Sequence, residues 1–265
     1  MAATANKSTA LQTALSSALI TRYSLPASAT WLTHFLSSTR QPHPPLPALT
    51  STAHFRILAS DLTTSLSSDH AATLLPRDIS NVATKELRLP GPVAVQILDI
   101  QDVGSSKWSQ VEAIERVERG EEVRGREVIR TVAALEESDE GDAGGGGGRG
   151  RGRGSGANAN ANQATSASKR SQGPHKVVLQ DAAGTNVLGF ELENVPRLWI
   201  GEDGLSIGCK IVLQAGTVVR RGMVMLTARD VRVLGGKIEP WDKKWKEDRK
   251  KRLIEEATGN GNGEA

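Results

Sequence analysis

The sequence carries a single cysteine, Cys209, in 265 residues, and only 3% of it is aromatic. One thiol excludes an internal disulfide and suits a reducing compartment. Within IGCKIVL it reads as a buried strand residue rather than a nucleophile. Long apolar runs are missing as well; none approaches the ~20 residues that span a bilayer, so no membrane contact is expected. The histidines, His34, His43, His54, His70 and His175, lack metal-ligand spacing, and there is neither a cysteine pair nor an HExxH. Nucleophile elbows of the GxSxG kind and GxxxxGK[ST] phosphate loops are absent too. Asp99 and Asp102 stand three apart on a strand pattern, which turns them to opposite faces and makes solvated or turn-capping roles the expectation. No catalytic residue, metal or cofactor is therefore expected. An excess of one charge is also lacking. With 33 basic and 30 acidic residues, the net charge of +3 permits nucleic-acid contact without requiring it.

What is present divides the chain. Residues 1–27 are rich in Ser, Thr and Ala and lack acidic residues, and are expected to form a frayed or disordered segment. Residues 28–89 read as a helical domain. Trp31, Leu32, Phe35 and Leu36 fall at helical spacing behind Ser28 or Thr30 as N-cap, and the proline cluster QPHPPLP ends that helix. A second amphipathic helix repeats Phe55, Leu58 and Leu62, with Ser51 or Thr52 as its cap. After LPGP the pattern becomes β-branched and alternating. Strands are expected at 93–102, at 176–180 and 187–191 around the turn DAAGTN, and in short runs between 210 and 234. Five or so short strands with glycine-bearing turns predict a small β-barrel over 90–240, giving an α+β chain. Residues 241–265 read as a charged helical tail with a disordered end. Trp241 and Trp245 at i and i+4 are expected to pack it on the barrel. On its other side Lys243, Lys244 and Lys246 form either a phosphate-contacting face or a solvated one.

The barrel is interrupted between its first two strands. Residues 103–174, including GGGGGRGRGRGSG, are expected to be a flexible insertion loop. Such a length is tolerated because closure entropy grows only as the logarithm of loop length. Arg149, Arg151 and Arg153 resemble a short RGG-type segment that contacts nucleic acid; a spacer with local charge balance is the alternative, since EESDEGD lies just upstream.

The ordered series WLTHFL, ILASDL, LPGPVAVQILDIQDVGSSKWSQVEAIE, KVVLQDAAGTNVLGFELE and GCKIVLQAGTVVRRGMVMLTARDVRVLGGKIEPW resembles the RecQ-mediated genome instability protein 1 family over about residues 28–245. The same module opens certain tudor-domain proteins that pair with a related topoisomerase; no tudor-like extension is expected here, and a single-barrel form is. The resemblance implies a helical bundle followed by an oligonucleotide/oligosaccharide-binding (OB) barrel. It also implies a nuclear, non-catalytic subunit of a complex with a type IA topoisomerase, topoisomerase III, and a RecQ-family helicase, acting on DNA recombination intermediates. In that family the loop between the first two barrel strands reaches into the topoisomerase gate and promotes decatenation and double Holliday junction dissolution. By that resemblance the candidate contacts are Trp108, Val111, Ile114 and Val117, with Arg124 and Arg126 beyond. Trp108, Val111 and Ile114 at three-residue steps can form an apolar anchor; packing of that stripe on the protein's own barrel is the alternative. Deleting 106–172 is expected to spare the fold. A free single-stranded nucleic-acid module is the competing function, disfavoured because Phe190 and Trp199 are the only barrel aromatics.

Overall fold

The computed structural model describes residues 2–39, 44–120, 171, 173–201 and 204–259. Four helices come first: α1 (Ala2–Tyr23), α2 (Ala29–Ser37), α3 (Leu46–Leu58) and the single turn α4 (Leu62–Ser65). Ser28 caps α2 by accepting from the Trp31 N–H at 3.2 Å, and Asp61 caps α4 by accepting from the Thr63 N–H at 2.9 Å. Pro47 stands in the first turn of α3, where a missing N–H costs nothing.

Two expectations for this region fail. The segment expected to be frayed is α1, because Leu15 and Leu19, four apart, form a stripe that is fully buried in the helical core with Leu25. In α3 the buried face is Leu49, Ala53 and Ile57, while Phe55 is 73% exposed and the helix begins at Leu46 rather than at a Ser51 or Thr52 cap. Both stripes of α3 have helical spacing; the one with Ala53 lies in the core shared with Leu15 and Leu19 of α1.

The helical unit also ends before residue 89. Leu75, Ile79 and Leu89 are buried in the core of the following sheet, together with the half-buried Leu87. Among the described residues that sheet has eight strands rather than five: β1 (Leu87–Arg88), β2 (Val93–Asp102), β3 (His175–Gln180), β4 (Asn186–Glu191), β5 (Lys210–Leu213), β6 (Val218–Arg220), β7 (Met223–Leu226) and β8 (Val231–Gly235). β1, only two residues long, is too short to show a period, which is why it escapes a pattern reading. Their order is β1-β6-β7-β4-β3-β2-β5-β8, antiparallel except for the β4–β7 pair.

β2 organises the curl of the sheet. Its first half pairs with β5, from Val93–Leu213 to Gln96–Lys210, and its second half pairs with β3, with a bulge between Ile97 and Asp99. Alternation sends Val93, Val95, Ile97, Val177, Leu179, Ile211, Leu213, Val224 and Leu226 inward to one core. On the outer side of β2 and β5, Ala94 and Val212 join the helical core, so the helical unit sits on the sheet. Asp181, fully buried in the β3–β4 turn, accepts from the N–H groups of Ala183, Thr185 and Leu75 and ties the turn to the connector. The chain closes with α6 (Glu239–Ala257), whose Trp241 and Trp245 pack half-buried against the sheet core.

Candidate interaction site at the base of the insertion

β2 ends at Asp102, which is buried and turns the chain with its own carboxylate. It accepts from the N–H groups of Gly104 (2.8 Å) and Ser105 (3.3 Å) and from the Ser105 hydroxyl (2.9 Å). Ser106 then caps α5 (Lys107–Glu118) by accepting from the Ser109 N–H at 3.1 Å. The far end of the insertion returns directly beside this exit. The Val103 N–H donates to the Pro174 carbonyl at 3.0 Å, and a Cβ on Gly104 would lie 1.9 Å from the Gly173 carbonyl oxygen. Only glycine permits that approach.

A buried relay locks the returning end. His175 Nδ1 bonds Glu191 Oε2, His175 Nε2 lies 2.6 Å from the Ser171 hydroxyl, and that hydroxyl accepts from the Ile200 N–H at 2.7 Å. Glu191 also accepts from the N–H groups of His175 and Val195. Burial pushes the Glu191 carboxyl up, but hydrogen bonds from His175 and Val195 outweigh it and hold its pKa below the usual carboxylate range. Serine, histidine and a carboxylate in series have the composition of a nucleophile relay. Here the serine oxygen is engaged by backbone, and the series joins β3, β4 and the Ile200 loop to the end of the insertion. It is a clamp.

The stem also sets α5 against α6. Gln110 is buried and donates to the carbonyls of Asp102 (3.0 Å) and Ser105 (3.1 Å), while its own carbonyl accepts from Arg249 at 3.3 Å. Ion pairs run along the helix contact: Lys107 with Glu256 (2.6 Å), and Lys250 with Glu118 (2.7 Å) and Glu115 (3.3 Å). The hydrogen bond that Lys250 donates to Glu118 is the main reason its pKa is raised. Beneath them, the Trp245 indole N–H donates to Asp99, which also accepts from Arg252 at 3.2 Å. The guanidiniums of Arg249 and Arg252 lie 5.6 Å and 5.7 Å from the Trp245 ring centre.

The candidate stripe on α5 divides. Val111 is buried, Ile114 is half-buried, and Trp108 and Val117 are 53% and 42% exposed. A three-residue step turns 300°, so successive positions drift by 60°. Trp108 and Val117 therefore fall on either margin of a face whose centre, Val111 and Ile114, packs back on the protein. Part of the insertion is thus ordered: deleting 106–172 would remove α5 together with its ion pairs to α6. Arg124, Arg126, Arg149, Arg151 and Arg153 lie outside the described residues. On α6, Lys246 pairs with Asp242 (2.7 Å) and Lys243 lies 3.9 Å from Glu247, which leaves Lys244 as the cation directed to solvent without an acidic partner among the described residues.

Sequence reasoning missed Val103, 46% exposed at the stem, and the contact of Asp99 with Trp245 and Arg252. Nothing local announces a bond between residues 146 positions apart. Among the described residues, no cluster of His, Cys, Asp and Glu is placed to hold a metal ion. Cys209 is buried, and burial pushes its thiol up to about 11, so it stays protonated.

A helical unit seated on the outer face of a curled, mostly antiparallel sheet, with a long insertion after its first long strand, defines a helical-plus-OB-fold module. Residues 19–65 match the RMI1 N-terminal helical domain and residues 75–249 the RMI1 N-terminal OB-fold domain. The chain belongs to the RMI1 family. It is similar to RecQ-mediated genome instability protein 1 of Schizosaccharomyces pombe, with 27% identity over 203 residues covering 77% of each chain. The gap between the two matched domains falls where packing passes from the helical core to the sheet core.

Proposed function

We propose that this chain is a non-catalytic scaffold of genome maintenance in the nucleus, joining a RecQ-family helicase to a type IA topoisomerase, topoisomerase III. The link to RecQ rests on family membership and on the name of the fission-yeast relative. The observation that carries the topoisomerase reading is the stem. Two clamped backbone ends and a helix seated on α6 present Trp108, Val117 and Val103 to solvent at the root of the insertion. A rigid root that displays apolar side chains suits a partner that must be gripped in one orientation.

The mechanism is a population shift. An insertion that binds the open topoisomerase gate more tightly than the closed one favours opening by the difference of the two affinities alone. Decatenation and double Holliday junction dissolution follow from a gate held open for longer. Arg124 and Arg126, which follow α5 in the sequence, are further candidate contacts for the same partner. Contact with DNA recombination intermediates is a secondary role, for which Lys244 and the arginines at 149, 151 and 153 are the candidates.

Two variants test this with purified topoisomerase III in capture and decatenation assays. Trp108→Ala should weaken capture by about 2 kcal/mol, roughly thirtyfold. Replacing residues 121–170 with a short Gly-Ser linker should leave capture measurable and abolish stimulation of decatenation. Normal stimulation by the linker variant would refute the gate assignment. Tight, salt-sensitive single-stranded DNA binding without capture would favour the nucleic-acid module instead.

A further inference from the structure

The outer face of the sheet has three sections. The helical unit covers the first through Ala94, Val212 and Leu234. Over the second half of β2, α6 covers Asp99 with Trp245 and Arg252. The third section, on β3, β4 and β7, has no such cover among the described residues. Alternation there sends Val177, Leu179, Val187, Val224 and Leu226 into the core and turns Val178, Leu188, Phe190, Met223 and Met225 outward. Register sets the outward residues side by side: Val178 opposite Leu188, Leu188 opposite Met223, and Phe190 opposite Met225. None of these five belongs to either core; Leu188 is 36% exposed and the others are half-buried. A solvated sheet face is ordinarily polar at such positions. Contiguous apolar side chains with two methionines instead mark a contact surface that adapts to an inserted side chain.

The margins of this strip are basic. Lys176 stands opposite Phe190 on one side. On the other, Arg220 stands opposite Met223, Arg88 opposite Val218, and the Arg221 N–H donates to the Thr84 carbonyl beside Lys85. Glu86 engages Arg88 (3.1 Å) and Arg220 (3.0 Å). Lys85, Lys176 and Arg221 have no acidic partner among the described residues.

We propose that the β3–β4–β7 face is a second docking surface, and that it takes an acidic amphipathic segment of a partner protein. Its apolar side would lie on Leu188, Phe190 and the two methionines, with Asp or Glu side chains reaching the basic margins. Single-stranded nucleic acid fits less well, because Phe190 alone offers a stacking face and the cations border the strip instead of lining it. A second copy of this chain fits less well too, since a two-fold contact would oppose like-charged margins. The inference is independent of the topoisomerase reading.

The test is selection of a phage-displayed random peptide library on the full chain, followed by polarisation binding of the enriched peptides. Enriched peptides should be net acidic with apolar residues at i and i+4. Their affinity should fall at least roughly tenfold with Leu188→Glu or with the milder Met223→Gln, and with rising salt, while a substitution of the exposed Phe55 in the helical unit, Phe55→Glu, has no effect. Thermal unfolding of each variant verifies the fold. No enrichment, basic or neutral winners, or binding indifferent to both strip variants overturns the proposal. Oligo-dT binding or self-association in sedimentation that Leu188→Glu abolishes would overturn it as well, assigning the strip to nucleic acid or to a second copy.

Discussion

Lys210 is fully buried on β5, with its ammonium donating to the Gly208 carbonyl at 2.6 Å. Burial lowers its pKa from 10.5 to about 8. Between those two values the unfolded chain still holds a proton that the folded chain has released, so folding stability should rise with pH across this window. Urea unfolding at pH 8 and pH 10 checks the rise. Lys210→Met should remove most of it and should stabilise the protein near pH 7 by on the order of 1–3 kcal/mol, because a buried charge is replaced by a side chain of similar volume. An unchanged slope in that variant would mean that another group titrates. A lysine inside KIVL gives no sequence sign that it is buried; only its pairing with Gln96, beneath the helical unit, decides that.

At the scale of elements, α1 is the sharpest departure from what the composition implies. Ser, Thr and Ala dominate it, yet Leu15 and Leu19 are fully buried and Tyr23 stacks on His54 of α3 with ring centres 3.7 Å apart. Leu19→Ala should cost about 2–5 kcal/mol in chemical unfolding, as for other buried leucines. A frayed segment would lose less than about 0.5 kcal/mol. Most strands were legible because alternation and turn residues are local properties. In α3 the choice between Phe55 and Ala53 as the inward residue was not legible, since both lie on stripes of helical period. The stripe on α5 was legible as apolar, but its division between Trp108, outside, and Val111, inside, follows from its seat on α6.

For the whole molecule, the sheet works as a frame with three outer stations: one under the helical unit, one under α5 and α6, and one with no cover among the described residues. The insertion departs and returns within a single clamp made by Asp102, Gly104, Gly173, His175 and Glu191. Replacing 121–170 with a short linker leaves every one of these contacts and α5 in place. That variant should therefore match the parent protein in thermal midpoint to within about 2 °C, equivalent to about 0.5–1 kcal/mol. Deletion of 106–172 should lower the midpoint measurably, because it removes the α5 side of every ion pair to α6.

The sequence by itself determined the class of elements, the switch from helices to strands, the position of the interruption and the packing role of Trp241 and Trp245. These depend on period, propensity and composition, which act over a few residues. Tertiary structure alone decided that α1 belongs to the core, that the helical unit ends before Leu75, and that Asp99 meets Trp245. It also decided which face of α5 is spent on α6 and which part of the sheet the described residues leave open. Each of these depends on contacts between segments far apart in the chain, where the choice among equivalent apolar faces is made by the area and charge of the neighbour that arrives.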